Sequence, residues 1–109
     1  MTTQQGVRTI SVKEAKAKLD AGAQAIDTAP AADWAGAHVP GAMNLPLLAI
    51  RSRKGEVPVD RALLFFCEDG VRSAEAASAA TTLGFADVYN VGGGTRAWIA
   101  AGYATEALM

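Results

Sequence analysis

The sequence predicts an α/β fold in which a small parallel sheet carries helices on both faces. Short apolar runs alternate with helical segments along the chain, an order typical of such sheets. One run, Leu63–Phe66, has the length and flanking residues of a strand buried on both faces. With 109 residues, half of them hydrophobic, the chain can form one core but not two. We expect a flexible N-terminal segment at residues 1–8, a single domain at 9–104 and a tail at 105–109.

The first elements are predicted to be a strand, a helix and a second strand. Thr9 and Ile10 are expected to form a short edge strand. Ser11 and Glu14 have the spacing of a capping box, which begins a helix that Gly22 is placed to end. Residues 23–27 are predicted to form the second strand, which ends in a carboxylate.

The middle of the chain is predicted to contain shorter elements. Residues 30–35 form a short helical candidate, and residues 42–45 form a strand that a proline closes. Residues 47–52 suggest a helical turn. A charged run at residues 51–56 is expected to be an exposed loop.

The last elements are a strand at residues 87–91 and a helix at residues 95–101, joined by three glycines at 92–94. A glycine run can indicate a phosphate-binding loop, but this one lacks the Gly-Lys-Ser/Thr ending of a P-loop. We therefore predict a tight turn that returns the final helix to the central loop.

The central stretch places a thiol between a strand and a helix. Leu63–Phe66 leads to Cys67, the one cysteine of the chain, and a polar loop at residues 68–72 follows. An alanine-rich helix can begin at Ser73, and Gly84 stands where a terminating glycine is expected. The junction between strand C-terminus and helix N-terminus is the usual ligand site of an open α/β sheet.

Three features of this junction favour the thiolate form of Cys67. The helix N-terminus offers unpaired N–H groups and the positive end of the helix dipole. Gly70 allows further amides to converge on one point, and Arg72 adds a fixed positive charge. The alternative is a buried cysteine that acts as a small hydrophobic residue.

Three motifs carry a resemblance to a known family. The central loop reads Cys67-x-x-Gly70-x-Arg72-Ser73, and it resembles the active-site loop of the rhodanese family of sulfurtransferases. Residues 37–42 with 44–46 are similar to that family's G-H-I-P-G-A-x-x-x-P segment. Residues 90–103 are similar to its C-terminal N-V-x-G-G-x-x-x-W-x-x-A-G-Y signature.

The resemblance implies a rhodanese-like sheet and a sulfur-transfer reaction without a cofactor. Cys67 would be the nucleophile that takes the sulfane sulfur of thiosulfate or a low-molecular-weight persulfide. Arg72 would neutralise the anionic donor, and a thiol, a protein or cyanide would accept the sulfur from a Cys67 persulfide. A protein could also be the sulfur donor. The substrate-binding residues implied are those whose loop amides would hold the terminal sulfur, namely Glu68, Asp69, Gly70, Val71 and Ser73.

The chain departs from the family pattern at several positions near this loop. Ala29 stands where many relatives have an arginine, in a D-V-R motif. Glu68 and Asp69 place two acids beside the thiol, and we expect their side chains to point outward as an acidic rim. His38 is expected to make a hydrogen bond that tethers its loop, and Trp34 to pack in the core.

Two alternative functions remain open at this point. A cysteine phosphatase or arsenate reductase also holds an oxyanion between a cysteine and an arginine. The loops of those enzymes have five residues between the two, whereas four residues separate Cys67 from Arg72. A persulfide carrier or sensing module would need the same cysteine without turnover.

Composition limits the partners and the location that we expect. The net charge of −1 gives no electrostatic argument for binding nucleic acid or an anionic membrane. No apolar run approaches the roughly 20 residues that span a bilayer, and the N-terminus does not resemble a signal peptide. A single cysteine excludes an internal disulfide and fits a cytoplasmic location. No set of side chains at ligand spacing predicts a metal site.

Overall fold

The computed structural model describes residues 2–3 and 7–108, and within them the chain forms six strands and four helices. The strands are β1 (Thr2–Thr3), β2 (Val7–Ile10), β3 (Gln24–Asp27), β4 (Met43–Asn44), β5 (Leu63–Phe66) and β6 (Val88–Val91). The helices are α1 (Val12–Asp20), α2 (Ala31–Gly36), α3 (Arg72–Thr82) and α4 (Gly94–Ala100), with 3₁₀ turns at Leu47–Ala49 and Lys54–Glu56. None of these helices has the length and apolar character needed to cross a membrane.

The strands form one sheet in the order β1-β2-β6-β5-β3-β4. Every pairing is parallel except that of β1 with β2. This confirms the predicted α/β class. In register, Phe66 of β5 lies beside Asp27, and Phe65 lies beside Asn90, so β3 and β6 end on either side of the residue that follows β5.

Side chains of β5 alternate between two hydrophobic cores, one on each face of the sheet. Leu63 and Phe65 pack in a cluster with alanines of α3. Leu64 and Phe66 pack in the second cluster, with Trp98 of α4. The four residues of β5 are buried, as expected for a strand covered on both faces. The alanines let α3 lie close to the sheet, which fixes the position of its N-terminus.

The predicted capping box is present at the start of α1. The Glu14 amide donates to the Ser11 hydroxyl at 3.1 Å, and the Ser11 amide donates to the Glu14 carboxylate at 3.4 Å. Gly22 follows the helix with a φ of 109°, a left-handed conformation that glycine adopts without strain.

Both ends of the described chain contain backbone pairing that the sequence did not predict. The predicted flexible segment, residues 1–8, includes β1 and the first half of β2, while residues 1 and 4–6 lie outside the described residues. Strand β2 lies between β1 and β6 and is therefore not the predicted edge strand. Strand β2 begins earlier than predicted because Val7 is buried in the core. In the predicted tail, the amide of Glu106 donates to the His38 carbonyl at 2.8 Å.

Trp34 was expected in the core but is half-buried and belongs to neither cluster. Its ring stacks on His38 with the ring centroids 4.3 Å apart. The tryptophan of the core is Trp98, which is 2% exposed.

Candidate active site

Cys67 lies at the end of β5, as predicted, and is 4% exposed. It contributes to the wall of a cavity of about 240 Å³. The other lining residues come from the segment after β3, from α2 and from the Cys67 loop: Ala29, Pro30, Asp33, Glu68, Asp69, Val71 and Arg72. The structure thus brings the predicted nucleophile and most of the predicted loop residues together around one small space.

Two backbone amides of the loop donate hydrogen bonds to the sulfur. The Gly70 amide lies 3.1 Å from Cys67 Sγ, and the Ser73 amide lies 3.3 Å from it. Gly70 has a φ of 88°, and a Cβ there would lie 2.9 Å from the Gly93 nitrogen and the Val91 carbonyl oxygen. Glycine is therefore required both for the turn and for close packing against β6. The result is a pair of donors aimed at the sulfur.

Asp69 is exposed, as predicted, but one of its carboxylate oxygens is also bound by the loop. Its Oδ1 accepts a hydrogen bond from the Val71 amide at 3.0 Å and lies 3.6 Å from Cys67 Sγ, within the range of a thiol hydrogen bond. The hydrogen bond from Val71 lowers the pKa of Asp69, so the carboxylate is ionised at neutral pH. An aspartate that binds an amide two residues ahead forms an Asx turn, and here this local hydrogen bond forms while the residue stays exposed.

Glu68 does form part of the rim, but it is paired. Its Oε2 lies 2.7 Å from a guanidinium nitrogen of Arg96 on α4, and both side chains are well exposed. Arg96 was not among the predicted site residues. Arg72 is the first residue of α3, is exposed and lines the cavity, without an ion pair to another described residue. Arg72 is thus the cavity-lining cation whose charge is available to a ligand.

A buried hydrogen-bond chain joins the loop to β6. The Ser73 hydroxyl donates to Asn90 Oδ1 at 2.5 Å, and Asn90 Nδ2 donates to the Gly70 carbonyl at 3.1 Å. Because both residues that donate amides to the sulfur are held by one side chain, Asn90 positions them. The sequence argument did not single out Asn90 for this role. A polar residue inside an otherwise apolar strand beside β5 was the available signal.

The N-terminus of α4 holds the other side of the loop. The Thr95 amide donates to the Cys67 carbonyl at 2.8 Å, and the Arg96 amide donates to the Glu68 carbonyl at 3.0 Å. Gly94 makes this approach possible, since a Cβ at that residue would lie 2.1 Å from the Cys67 carbonyl oxygen. The glycine run therefore returns the last helix to the central loop, as predicted.

The segment after β3 supports the end of β5. The Thr28 amide and hydroxyl both donate to the Phe66 carbonyl, at 2.8 and 3.0 Å. Asp27 is buried and accepts the Ala29 amide at 2.9 Å. Burial raises the pKa of Asp27, against the lowering effect of that hydrogen bond. Ala29 itself lines the Cys67 cavity, so an arginine at this position would occupy that space.

A larger cavity of about 500 Å³ adjoins the first and shares Ala29, Asp33 and Glu68 with it. Thr95, Arg96 and Ile99 of α4 form its opposite wall. The cavity that Cys67 lines thus adjoins a space that can hold more than a small inorganic ion.

His38 lies outside the lining of both cavities. Its Nδ1 is 2.6 Å from the Trp34 carbonyl oxygen, which is the loop-tethering hydrogen bond that was predicted. Among the described residues, no three His, Cys, Asp or Glu side chains are grouped so as to hold a metal ion.

Comparison with known sequences identifies the family to which this fold and this loop belong. The sequence model of the rhodanese-like domain matches residues 11–101. The chain belongs to the rhodanese-like domain family.

Several relatives in this family are named for sulfur transfer. The chain is 30% identical over 89 residues to thiosulfate sulfurtransferase GlpE of Pseudomonas savastanoi, which covers 82% of this chain and 84% of that one. It is 28% identical over 109 residues to the human thiosulfate:glutathione sulfurtransferase, covering 86% and 95%. An uncharacterized protein of Bacillus subtilis is 36% identical to this chain over 76 residues, which are 70% of this chain. The chain spans 60% of the length of that protein.

A solved structure has the same fold. A rhodanese-related protein from Thermoplasma volcanium superposes with a TM-score of 0.83 at 24% identity, covering 94% of this chain and 99% of that one. Family membership and this superposition give the chain a rhodanese-like fold.

Proposed function

We propose that the protein is a sulfurtransferase that moves a sulfane sulfur from thiosulfate or an organic persulfide to a thiol or cyanide through a Cys67 persulfide. The observation that carries this proposal is the pair of amides, from Gly70 and Ser73, that donate to Cys67 Sγ. Donors aimed at a sulfur stabilise negative charge on it without any reorganisation at the moment of reaction. The names of two relatives, thiosulfate sulfurtransferase and thiosulfate:glutathione sulfurtransferase, support these donor and acceptor classes.

The proposed reaction has two displacement steps. The Cys67 thiolate attacks the sulfane sulfur, the S–S bond of the donor breaks, and its electron pair leaves with sulfite or with a thiolate. An acceptor thiolate or cyanide then attacks the outer sulfur of the persulfide and releases the Cys67 thiolate. Covalent catalysis of this kind requires no cofactor, and a reduced thiol fits a reducing compartment such as the cytoplasm.

Arg72 is proposed to bind and orient the anionic donor. Its side chain lines the cavity and has no ion pair with another described residue, so its charge is free to meet a ligand. The larger adjoining cavity offers room for the organic part of a thiol acceptor or persulfide donor. A protein that brings or removes sulfur through an exposed cysteine could use the same opening.

The thiocyanate assay tests this function. Protein given thiosulfate and cyanide should form thiocyanate over many turnovers, and Cys67→Ser should form none. Thiocyanate formation that persists in Cys67→Ser would overturn the mechanism. One sulfur atom transferred per chain, with no further turnover, would indicate a carrier rather than an enzyme.

A second assay separates sulfur transfer from phosphate chemistry. Only four residues separate Cys67 from Arg72, and the Val71 amide already donates its hydrogen bond to Asp69. We therefore expect no hydrolysis of p-nitrophenyl phosphate. Efficient hydrolysis that is lost in Cys67→Ser would favour a phosphatase.

A further inference from the structure

We propose that Asp69 determines donor preference at this site. In the resting protein the Asp69 carboxylate accepts the hydrogen bond of the Val71 amide and lies beside Cys67 Sγ, where an anionic donor must bind. The site should therefore prefer an organic persulfide, which carries at most one negative charge at its outer sulfur, over the thiosulfate dianion. This inference depends on the proposed sulfurtransferase function and names the substrate class of the same site.

The amides around the sulfur are already engaged in the resting protein. Those of Gly70 and Ser73 donate to Cys67 Sγ at 3.1 and 3.3 Å. The Val71 amide lies between these two in sequence, but it donates to Asp69 Oδ1 at 3.0 Å instead. The same oxygen is 3.6 Å from the sulfur. A donor that takes the Val71 amide must displace this carboxylate.

Charge supplies the second argument. The cavity lining contains the carboxylates of Asp33, Glu68 and Asp69, and the guanidinium of Arg72. Arg96 of α4 also acts on Asp69 and lowers its pKa, but its guanidinium is bound to Glu68 at 2.7 Å. Asp69 itself forms no ion pair with a described residue. A dianion entering the cavity therefore meets a lining with more negative than positive charge, and the Asp69 carboxylate lies beside the sulfur.

The two donors differ in what the first displacement releases. With an organic persulfide RSSH, the Cys67 thiolate attacks the outer sulfur, the S–S bond breaks, and RS⁻ leaves, to be protonated to the thiol. With thiosulfate, the same attack breaks the S–S bond and releases sulfite with the electron pair. In the reaction with thiosulfate, the site must hold a dianion beside the Asp69 carboxylate before the S–S bond breaks. The repulsion therefore acts on thiosulfate more strongly.

The test compares donors in variants that change the charge without removing the turn. Asp69→Asn keeps an amide oxygen for the Val71 N–H, and Asp69→Ser keeps a short hydroxyl acceptor, so either variant serves if the other folds poorly. Glu75→Gln is the matched control, since Glu75 is exposed in the first turn of α3, lies outside the cavity lining and makes the same change in net charge.

The readouts are KM and kcat for thiosulfate and for glutathione persulfide at low and high salt. At low salt, Asp69→Asn should lower the KM for thiosulfate about tenfold and change the KM for glutathione persulfide less than about twofold. Added salt should reduce the thiosulfate effect, and Glu75→Gln should reproduce neither change.

An active protein in which Asp69→Asn and Asp69→Ser leave the ratio of the two KM values unchanged would overturn this inference alone. Loss of the salt dependence, with both KM values altered equally, would identify a purely structural role for Asp69 and would also overturn it. If no variant and no wild-type protein took sulfur from either donor, the proposed function would fall first, and the donor preference with it.

Discussion

Gly94 is the residue on which the contact between α4 and the Cys67 loop depends most. A Cβ at this residue would lie 2.1 Å from the Cys67 carbonyl oxygen and 2.8 Å from the carbonyl carbon of Glu68. Backbone atoms cannot yield as the end of a flexible side chain can. In Gly94→Ala, the helix must therefore retreat from the loop by about 1 Å to restore ordinary contact.

The expected loss of stability has two parts. A φ of 58° costs an alanine about 1 kcal/mol. Retreat of α4 also weakens two hydrogen bonds, those that the Thr95 and Arg96 amides donate to the Cys67 and Glu68 carbonyls, at about 1 kcal/mol each. We therefore expect Gly94→Ala to lower the free energy of unfolding by about 3 kcal/mol.

Gly84→Ala is the matched control for this substitution. Gly84 also has a positive φ, 102°, but apart from its chain neighbours no described residue lies within 4 Å of the Cβ position. Gly84→Ala should lower the free energy of unfolding by about 1 kcal/mol, from backbone strain alone. Urea unfolding measures both variants, and the rate of sulfur transfer should fall in Gly94→Ala but not in Gly84→Ala. Equal losses of stability, or an unaffected rate in Gly94→Ala, would refute the role given to this contact.

Three further predictions concern the surroundings of Cys67. Asn90→Ala leaves the Ser73 hydroxyl and the Gly70 carbonyl without their partner, so urea unfolding should report a loss of about 1–3 kcal/mol and kcat should fall; an unchanged kcat would contradict the positioning role. Burial raises the pKa of Asp27, so the stability that its protonation gives is present below the unfolded-state pKa and is lost as pH rises through the folded-state value. Asp27→Asn should therefore gain stability relative to wild type between mildly acidic and neutral pH, and a pH-independent difference would argue against this. Ala29→Arg places a guanidinium in the Cys67 cavity and should lower the KM for thiosulfate severalfold at low salt; no change in KM would contradict the placement of residue 29 beside the donor.

The elements of the fold followed well from local sequence signals. The capping box at Ser11, the apolar run Leu63–Phe66 and the glycine after α3 each depend on interactions within a few residues, and each was predicted correctly. The strand at Thr9 and Ile10 was predicted, but β1 and the position of β2 inside the sheet were not, because the strand order depends on pairing of β2 with β6, which is remote in sequence. The bridge between His38 and Glu106 also joins residues that are remote in sequence.

The site was predictable as far as a motif specifies it. Cys67, Gly70 and Ser73 were identified from their positions in the loop, and the structure brings them within hydrogen-bonding distance. The positioning role of Asn90 and the hydrogen bonds of the Asp69 carboxylate were missed. The first depends on two parallel strands lying side by side, and the second on an Asx turn within an exposed loop that composition does not specify.

The central claim is that Cys67 carries the transferred sulfur. Intact-mass spectrometry of the protein after brief exposure to thiosulfate or glutathione persulfide, followed by peptide mapping, measures this directly. We predict a gain of the mass of one sulfur atom on the peptide that contains Cys67, reversed by a thiol reductant, and no gain in Cys67→Ser. Sulfur found on another residue, or an unchanged mass with both donors, would contradict the account.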